Sequence, residues 1–341
     1  MRAAGTHTAP WAMLQGVLAE FVSRCRAEIA RPDISARSAS APPGRRAQGP
    51  AYQVVGDIAV LPIVGILMQN PGFIEVLFGA YPTDRIDDDL RAAAADPSVK
   101  SIVLNIDSPG GSVSGIQEVA HRVRALNEKK RVVALATGTM ASAAYWIGAA
   151  ADSVFVSSDL VGVGSIGVLA THLDVSERDR AMGVKVTEIF AGKYKVHGSK
   201  HVPLSDDARA TIQGHVDYLY SVFVDDVASF RGVSADTVLK RMADGRMFYG
   251  AQAIDAGLAD GRASLDSLVD QLAGGGFQAR RKTPAFAQAA ARNVAAARAD
   301  VFEARCKNIW NEDPMVRAEF AHFDDYHAYA RSKRADSRGQ A

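Results

Sequence analysis

The sequence predicts a mixed α/β fold in which short parallel strands alternate with helices. β-Branched apolar runs at residues 101–106 and 131–136 are each followed by a turn of small residues and then by helical spacing. A further short apolar run, at residues 153–156, continues the alternation. Alternation of this kind builds right-handed βαβ crossovers around a parallel sheet.

The N-terminal region, residues 1–50, is predicted to be an amphipathic helix and a flexible linker. The apolar residues at spacings of three and four are Trp11, Leu14, Val17, Leu18, Phe21, Val22 and Cys25. This stripe indicates a helix docked on its own domain or on a neighbouring subunit, in preference to a membrane-bound one. Residues 32–50, rich in Pro, Ser, Ala, Gly and Arg, read as the linker.

The central part of the chain continues the alternation to about residue 274. Residues 58–68 are strand-like with interruptions at Pro62 and Gly65, and residues 84–95 favour a helix. Residues 185–190 are predicted to form a further strand. Downstream, Ser205 and Ser234 are expected to cap two helices, because serine oxygens accept hydrogen bonds from the first N–H groups of a helix.

A C-terminal extension, residues 275–341, begins within three consecutive glycines at residues 274–276. Residues 283–305 are alanine-rich and predicted to be helical, and residues 310–329 carry aromatic side chains at partly helical spacing. The extension is interpreted either as an assembly element or as helices packed on the preceding domain.

Composition narrows the function class. A net charge of +1 over 341 residues gives no reason to expect a nucleic-acid partner. The sequence contains no run of about 18 apolar residues, so we do not expect a membrane span. The two cysteines lack metal or redox spacing, which favours a reducing compartment. No metal motif or phosphate loop is present, and residues 162–167 resemble a dinucleotide fingerprint only superficially. We therefore expect neither metal nor cofactor.

Two turns about thirty residues apart carry the chemistry. Residues 105–112 read NIDSPGGS and residues 138–145 read GTMASAAY. A glycine pair can present backbone N–H groups to an oxyanion, and a serine that opens a helix can present its hydroxyl for attack. The alternative is that Ser142 has only a structural role, as an ordinary helix N-cap. Together the turns predict an acyl-transfer site.

With residues 162–168 (GVGSIGV) and 191–195 (AGKYK), these motifs resemble the SppA-type signal peptide peptidase family, in particular its short single-domain members from phages and prophages. The similarity covers roughly residues 53–272. It implies a ClpP/crotonase-like fold of repeated ββα and βαβ units around a parallel sheet, with helical N- and C-terminal extensions. The catalytic domain would then be residues 51–274.

The resemblance also implies a Ser-Lys dyad with Ser142 as nucleophile and Lys195 as general base. Lys193 is the rival lysine. His172 invites comparison with the histidine of ClpP-type proteases, but that pattern would place the histidine near residues 164–165, several positions earlier.

Other site residues follow from the same resemblance. Gly111 and Ala143 would donate their backbone N–H groups to the oxyanion, and Gly110 would support the turn. Ser165 matches a serine that hydrogen-bonds the catalytic lysine, with a plain turn serine as the competing interpretation.

The resulting hypothesis is a serine endopeptidase that matures phage proheads by cleaving scaffold or capsid protein, in the host cytoplasm and inside the prohead. The resemblance implies a homo-oligomer whose sites combine residues of adjacent subunits. A soluble SppA-like bacterial peptidase that degrades signal peptides or membrane-derived peptides is the alternative. An inactive scaffold-binding protein and a crotonase-like acyl-CoA enzyme are the rivals from other classes. Self-cleavage is expected, if anywhere, near residues 39–41.

Overall fold

The chain divides into two compact units, residues 1–282 and residues 283–341. The computed structural model describes residues 10–29, 51–277 and, in the C-terminal unit, 306–307, 310, 316–317, 320 and 322–336. The predicted linker, the self-cleavage segment at residues 39–41 and the alanine-rich stretch at residues 283–305 lie outside the described residues.

The first unit alternates short strands with helices. Its strands are β1 (Trp11–Met13), β2 (Gln53–Val55), β3 (Ile58–Val64), β4 (Ile66–Met68), β5 (Ala80–Pro82), β6 (Ser101–Ser108), β7 (Gly110–Ser112), β8 (Arg131–Ala141), β9 (Ser153–Val156), β10 (Gly162–Gly164), β11 (Met247–Tyr249) and β12 (Gly261–Arg262). Its helices are α1 (Gln15–Ile29), α2 (Phe73–Leu77), α3 (Thr83–Ala95), α4 (Ile116–Leu126), α5 (Ala143–Ala149), α6 (Ser176–Ala181), α7 (Asp206–Arg231), α8 (Ala235–Arg241), α9 (Gly250–Ala256) and α10 (Leu265–Ala273). No described helix has the length and apolar character needed to cross a bilayer.

The larger sheet is built around three parallel strands, β3, β6 and β8. The long strand β8 pairs with β9 along its first half and with β10 along its second half, both in parallel. Only the outer strands β2 and β11 run antiparallel to their neighbours. The predicted α/β fold with a parallel sheet is therefore confirmed. Its central strands are buried, as expected for a parallel sheet that is covered on both faces.

A smaller sheet in the order β1-β7-β4-β5 lies beside the carboxyl ends of the central strands. In it β4 is parallel to both β5 and β7, whereas β1 is antiparallel to β7. The chain passes from β3 to β4 at Gly65, whose φ of +70° is left-handed, so the predicted interruption falls there. The residue predicted as the other interruption, Pro62, lies within β3.

Helix α5 lies within the main core, and all seven of its residues are buried. The Trp146 indole stacks on Phe223 of α7 with 4.3 Å between ring centroids. Its N–H donates to Asp226 at 2.9 Å, and the Tyr145 hydroxyl donates to the Leu258 carbonyl at 2.9 Å. Both polar tips of these large aromatic residues are therefore satisfied inside the core.

The sequence predicted most elements but misplaced two. Ser205 and Ser234 accept hydrogen bonds from the N–H groups of Ala208 and Thr237, so both predicted caps are confirmed. The predicted strand at residues 185–190 is wrong, because that segment has no regular secondary structure and pairs with no described strand. Trp11, predicted as part of the first helix, lies in β1, since it pairs with β7 before α1 begins at residue 15.

The second unit contributes one described helix, α11 (Phe323–Asp336). Aromatic side chains meet at its N-terminal half: Tyr326 stacks on Trp310 at 6.2 Å and packs against Phe320 at 5.6 Å. The aromatic spacing noted in the sequence thus corresponds to a local cluster within this unit.

A buried ion pair holds α7 to the C-terminal part of the first unit. The Arg231 guanidinium donates to both carboxylate oxygens of Asp260, at 2.9 and 2.7 Å, and to the Gly257 carbonyl at 3.1 Å. Asp260 also accepts the N–H of Val154 at 2.8 Å. The Arg231 side chain is 1% exposed, so removing it leaves a carboxylate without its counter-charge.

We expect Arg231→Met to lower the free energy of unfolding by about 3–5 kcal/mol, because it strands the partly buried Asp260 charge. The matched control is Lys240→Met, which breaks an exposed pair with Asp236 and should cost about 0.5 kcal/mol or less. Urea denaturation of both variants measures the difference. Equal losses would show that the Arg231 pair contributes no more than a surface pair.

Candidate active site

The two predicted turns meet because the strands before them are neighbours. Strands β6 and β8 pair in parallel, and after a register shift Ser108 lies opposite Met140. The Asp107 carboxylate accepts the N–H of Thr139 at 2.9 Å, which ties one turn to the other. A Cβ at Gly138 would lie 2.2 Å from that carboxylate, so a larger residue there would displace the exposed Asp107 side chain from this hydrogen bond.

Ser142 lies at the sharp turn between β8 and α5. Its φ of 54° and ψ of −117° are unusual for a residue with a side chain, and its N–H donates to the Gly164 carbonyl at 2.7 Å. The hydroxyl donates to the Gly167 carbonyl at 3.4 Å. The residue is only 1% exposed, so the candidate nucleophile is covered in this conformation.

The glycine pair lies where neighbouring backbone leaves no room for a side chain. A Cβ at Gly111 would be 1.9 Å from the Leu67 carbonyl oxygen. A Cβ at Gly110, whose φ is +99°, would be 2.2 Å from the Ala12 carbonyl oxygen and 3.0 Å from that of Ala141. The turn therefore lies directly against the residue that precedes Ser142.

The N-terminus of α5 supplies the second group of candidate donors. Ala143 is the first helical residue, and the first N–H groups of a helix have no acceptor within the helix. The same helix end carries partial positive charge. Gly111 and Ala143 thus belong to the two turns that meet at Ser142, as an oxyanion site requires.

Ser165 lies beside this arrangement. It has a φ of 50° and is 7% exposed, and its N–H donates to the Arg246 carbonyl at 2.7 Å. Its neighbour Gly164 accepts the Ser142 N–H, so the Ser165 turn and the Ser142 turn are hydrogen-bonded together.

Lys195 is placed differently. It belongs to an exposed arm, defined here as residues 181–195, in which every residue is exposed. Its N–H donates to the Gly192 carbonyl at 3.0 Å. Among the hydrogen bonds of the described residues, none joins its ammonium group to Ser142. The structure therefore brings Ser142, Gly110, Gly111, Ala143 and Ser165 together and leaves Lys195 on the surface of the chain.

The rival bases have other partners. Lys193 lies 3.1 Å from the Asp207 carboxylate, and the hydrogen bond with Asp207 raises the pKa of Lys193, which favours its charged form. His172 makes a 2.7 Å hydrogen bond from Nε2 to the Ser199 carbonyl. A carbonyl only accepts, so Nε2 carries the proton there.

Two structural features of the candidate site were not predicted from the sequence. The Gly167 carbonyl contacts the Ser142 hydroxyl, and β1 lies against Gly110 and Gly111. Pro10 before an apolar triplet could have signalled an edge strand, but the helical spacing of the following residues concealed it. Within the described residues no three His, Cys, Asp or Glu side chains are grouped to hold a metal ion.

Comparison with known proteins identifies related families. The model of Peptidase family S49 matches residues 124–276, and that of Clp protease matches residues 82–157. Capsid assembly protease C of Escherichia phage lambda is 34% identical over 239 residues, covering 67% of this chain and 54% of that protein.

Two further relatives are more partial matches. Head-tail preconnector protein GP5 of Enterobacteria phage P21 is 33% identical over 222 residues, covering 65% of this chain and 44% of that protein. The chloroplastic serine protease SPPA of Arabidopsis thaliana is 25% identical over 213 residues, covering 62% of this chain and 31% of that protein. The chain spans about half the length of the two phage relatives it matches.

We expect Ser142→Gly to raise the free energy of unfolding by about 1 kcal/mol, because glycine relieves a left-handed backbone that costs a serine about 1–3 kcal/mol. Ser205→Gly is the control: Ser205 has an ordinary φ of −71° and caps α7, so its replacement should lower stability. Urea denaturation measures both. A loss of stability in both variants would mean that Ser142 is not strained.

Proposed function

We propose that this chain is a serine endopeptidase with a Ser142/Lys195 dyad, a proposal supported by the match of residues 124–276 to the model of Peptidase family S49. The observation that carries the proposal is the meeting of two turns. Ser142 opens a helix at a strained strand end, and Gly110 and Gly111 lie against the residue before it. An activated hydroxyl beside backbone N–H donors is the arrangement that acyl transfer needs.

The proposed reaction has two halves. The Ser142 Oγ attacks the peptide carbonyl carbon while Lys195 Nζ takes the hydroxyl proton, and the N–H groups of Gly111 and Ala143 hold the oxyanion. Collapse breaks the C–N bond as Lys195 returns the proton to the leaving amine. Water then adds to the acyl-enzyme with Lys195 as base, and the second collapse releases the acid and restores Ser142.

Lys195 is preferred over Lys193 for an electrostatic reason. A lysine acts as base only when its amine is neutral, and Asp207 stabilises the ammonium form of Lys193. Because these two lysines are separated by one residue in the same arm, Lys193→Ala is a close control for Lys195→Ala.

The exposed arm supports an active site shared between subunits. It leaves several large apolar side chains in solvent: Met182, Val184, Val186, Ile189, Phe190 and Tyr194. Ile189 is 97% exposed, and the arm's backbone has no strand partner among the described residues. Large apolar side chains left in solvent favour packing against another chain. A second copy that orders this arm would bring Lys195 to a neighbour's Ser142.

The biological role we favour is prohead maturation in the host cytoplasm and inside the prohead, by cleavage of scaffold or capsid protein. Its support is the similarity to a protein named capsid assembly protease in phage lambda. The alternative, a soluble SppA-like peptidase of signal or membrane-derived peptides, is favoured by the similarity to a serine protease SPPA. Cleavage that depends on assembled particles distinguishes the first role.

We expect Ser142→Ala and Lys195→Ala each to lower kcat/KM for peptide hydrolysis by at least about 10³, because each removes one half of the nucleophile and base pair. The controls are Lys193→Ala and His172→Ala, which should stay within about fivefold of wild type. Mass spectrometry of casein and scaffold cleavage provides the measurement. If His172→Ala is inactive and Lys195→Ala still cleaves the substrate, the assignment of Lys195 as general base is wrong.

We expect an equal mixture of Ser142→Ala and Lys195→Ala chains to recover activity, to about a quarter of wild type if mixed oligomers assemble at random. Each restored site would combine one chain's serine with the other's lysine. Native mass spectrometry checks that mixed oligomers form. Mixed oligomers without activity would place both dyad residues in one chain.

A further inference from the structure

The N-terminal strand β1 lies in a groove whose two walls carry the proposed catalytic groups. One wall is β7, which pairs antiparallel with β1 in the register Trp11 to Ser112, Ala12 to Gly111 and Met13 to Gly110. The other wall is Leu169, which exchanges both backbone hydrogen bonds with Trp11 at 2.8 and 2.9 Å. An extended segment held on both sides by backbone pairing is how proteins bind peptides by strand addition.

The walls lie next to Ser142. The Gly167 carbonyl, two residues before Leu169, accepts the Ser142 hydroxyl. On the opposite wall Gly110 lies against the carbonyls of both Ala12 and Ala141. Strand β1 therefore passes between the backbone that contacts the nucleophile and the backbone proposed to hold the oxyanion.

Strand alternation determines which residue of β1 faces the oxyanion donor. The N–H and C=O of Trp11 point to Leu169, so those of Ala12 point the other way, to its registered partner Gly111. Outside this pair, Leu14 donates to the Pro109 carbonyl at 3.2 Å and Val113 donates to that of Pro10 at 3.4 Å. The Ala12 carbonyl thus faces the Gly111 N–H, as a scissile carbonyl would.

The side chains of β1 also alternate. Ala12 is 0% exposed and belongs to the main core cluster, which also includes Leu67 and Ala143, so its small side chain occupies an enclosed position. Trp11 and Met13 point instead to a separate cluster that includes Phe21 and Ile66. The groove therefore has one enclosed position for a small residue, flanked by two positions that face α1.

Helix α1 holds the strand in place through limited contacts. Trp11 packs edge-to-face on Phe21 at 6.4 Å, and only Leu18, Phe21, Cys25 and Glu28 of the helix are buried. A cavity of ≈ 390 Å³ remains beside α1. Packing of this kind suits a segment that can leave the body of the protein.

We propose that this groove binds extended peptides with a small residue opposite Gly111, and that residues 10–14 of the chain are its resident, substrate-like occupant. The proposal rests on the proposed peptidase function. It explains why Ser142 is 1% exposed although an endopeptidase must admit a peptide to its nucleophile. Substrate enters when β1 and α1 withdraw, so the described conformation is closed.

Cys25 reports the withdrawal independently of catalysis. It is 3% exposed on α1, and burial, with a contribution from Glu75, raises the pKa of the thiol to about 11. Alkylation requires the thiolate, so Cys25 should react slowly while α1 is docked. Mass spectrometry locates the label, and Cys25→Ser confirms its assignment.

Two full-length variants open the groove by different routes. Ala12→Pro removes the N–H that faces Gly111, and Phe21→Ala removes the ring that packs on Trp11 while every residue of β1 is kept. Glu20→Gln, which changes an exposed side chain of α1 and breaks only its surface pair with Arg24, is the matched control. We expect both opening variants to raise Cys25 alkylation and peptide hydrolysis by at least about tenfold, with Glu20→Gln within about threefold of wild type.

A synthetic peptide of residues 10–14, PWAML-amide, whose N-terminal amine carries the label, provides the second test. Labelled with fluorescein, it should bind the Ser142→Ala, Ala12→Pro double variant at least about tenfold more tightly than it binds Ser142→Ala alone. The peptide with tryptophan in place of alanine should bind at least about tenfold more weakly, because the enclosed position admits only a small side chain.

The outcomes separate the two ideas. Faster Cys25 alkylation with no gain in peptide binding or hydrolysis would overturn the inference and make β1 a permanent strand of the site. Tighter peptide binding without hydrolysis in any variant would support the groove and refute the peptidase function. Because Phe21→Ala leaves β1 intact, misfolding of Ala12→Pro alone does not remove the test.

Discussion

The parallel pairing of β6 with β8 is the interaction on which the site depends. Six consecutive residue pairs, from Ser101 with Arg131 to Ile106 with Ala136, align the strands before the bulge. These strands are covered on both faces, so a shifted register would disrupt the side-chain packing on both faces and is disfavoured. Because parallel strands end at the same edge, their following turns meet there, and the glycine pair is brought to Ser142.

The two residues of the proposed dyad lie in different structural environments. Ser142 is fixed at a strained turn because α5 behind it is fully buried and cannot relax without opening the core. Lys195 lies on an arm that exposes apolar side chains and pairs with no described strand of the chain. A rigid nucleophile and an arm suited to pairing with another chain fit an enzyme that is completed by assembly, as we propose.

The N-terminal segment connects this geometry to control of access. Strand β1 is the edge strand of the smaller sheet, and in our proposal it covers the nucleophile, which is 1% exposed. The same backbone groups that would bind a substrate strand are satisfied by residues 10–14. A groove whose backbone groups are hydrogen-bonded by a segment of the same chain remains ordered without substrate, because its polar groups are not left buried and unpaired.

Local pattern was sufficient for the parallel α/β fold, for the caps at Ser205 and Ser234, and for the motif at Ser142, because strand period, helix capping and glycine turns are properties of neighbouring residues. Local pattern gave the wrong prediction at Trp11, which has helical spacing but pairs with β7. It was also wrong at residues 185–190, whose composition favours a strand but which pair with no described strand. The roles proposed for Ser142 and Lys195 are still predictions. Strand pairing is made between distant segments, so only the tertiary structure decides it.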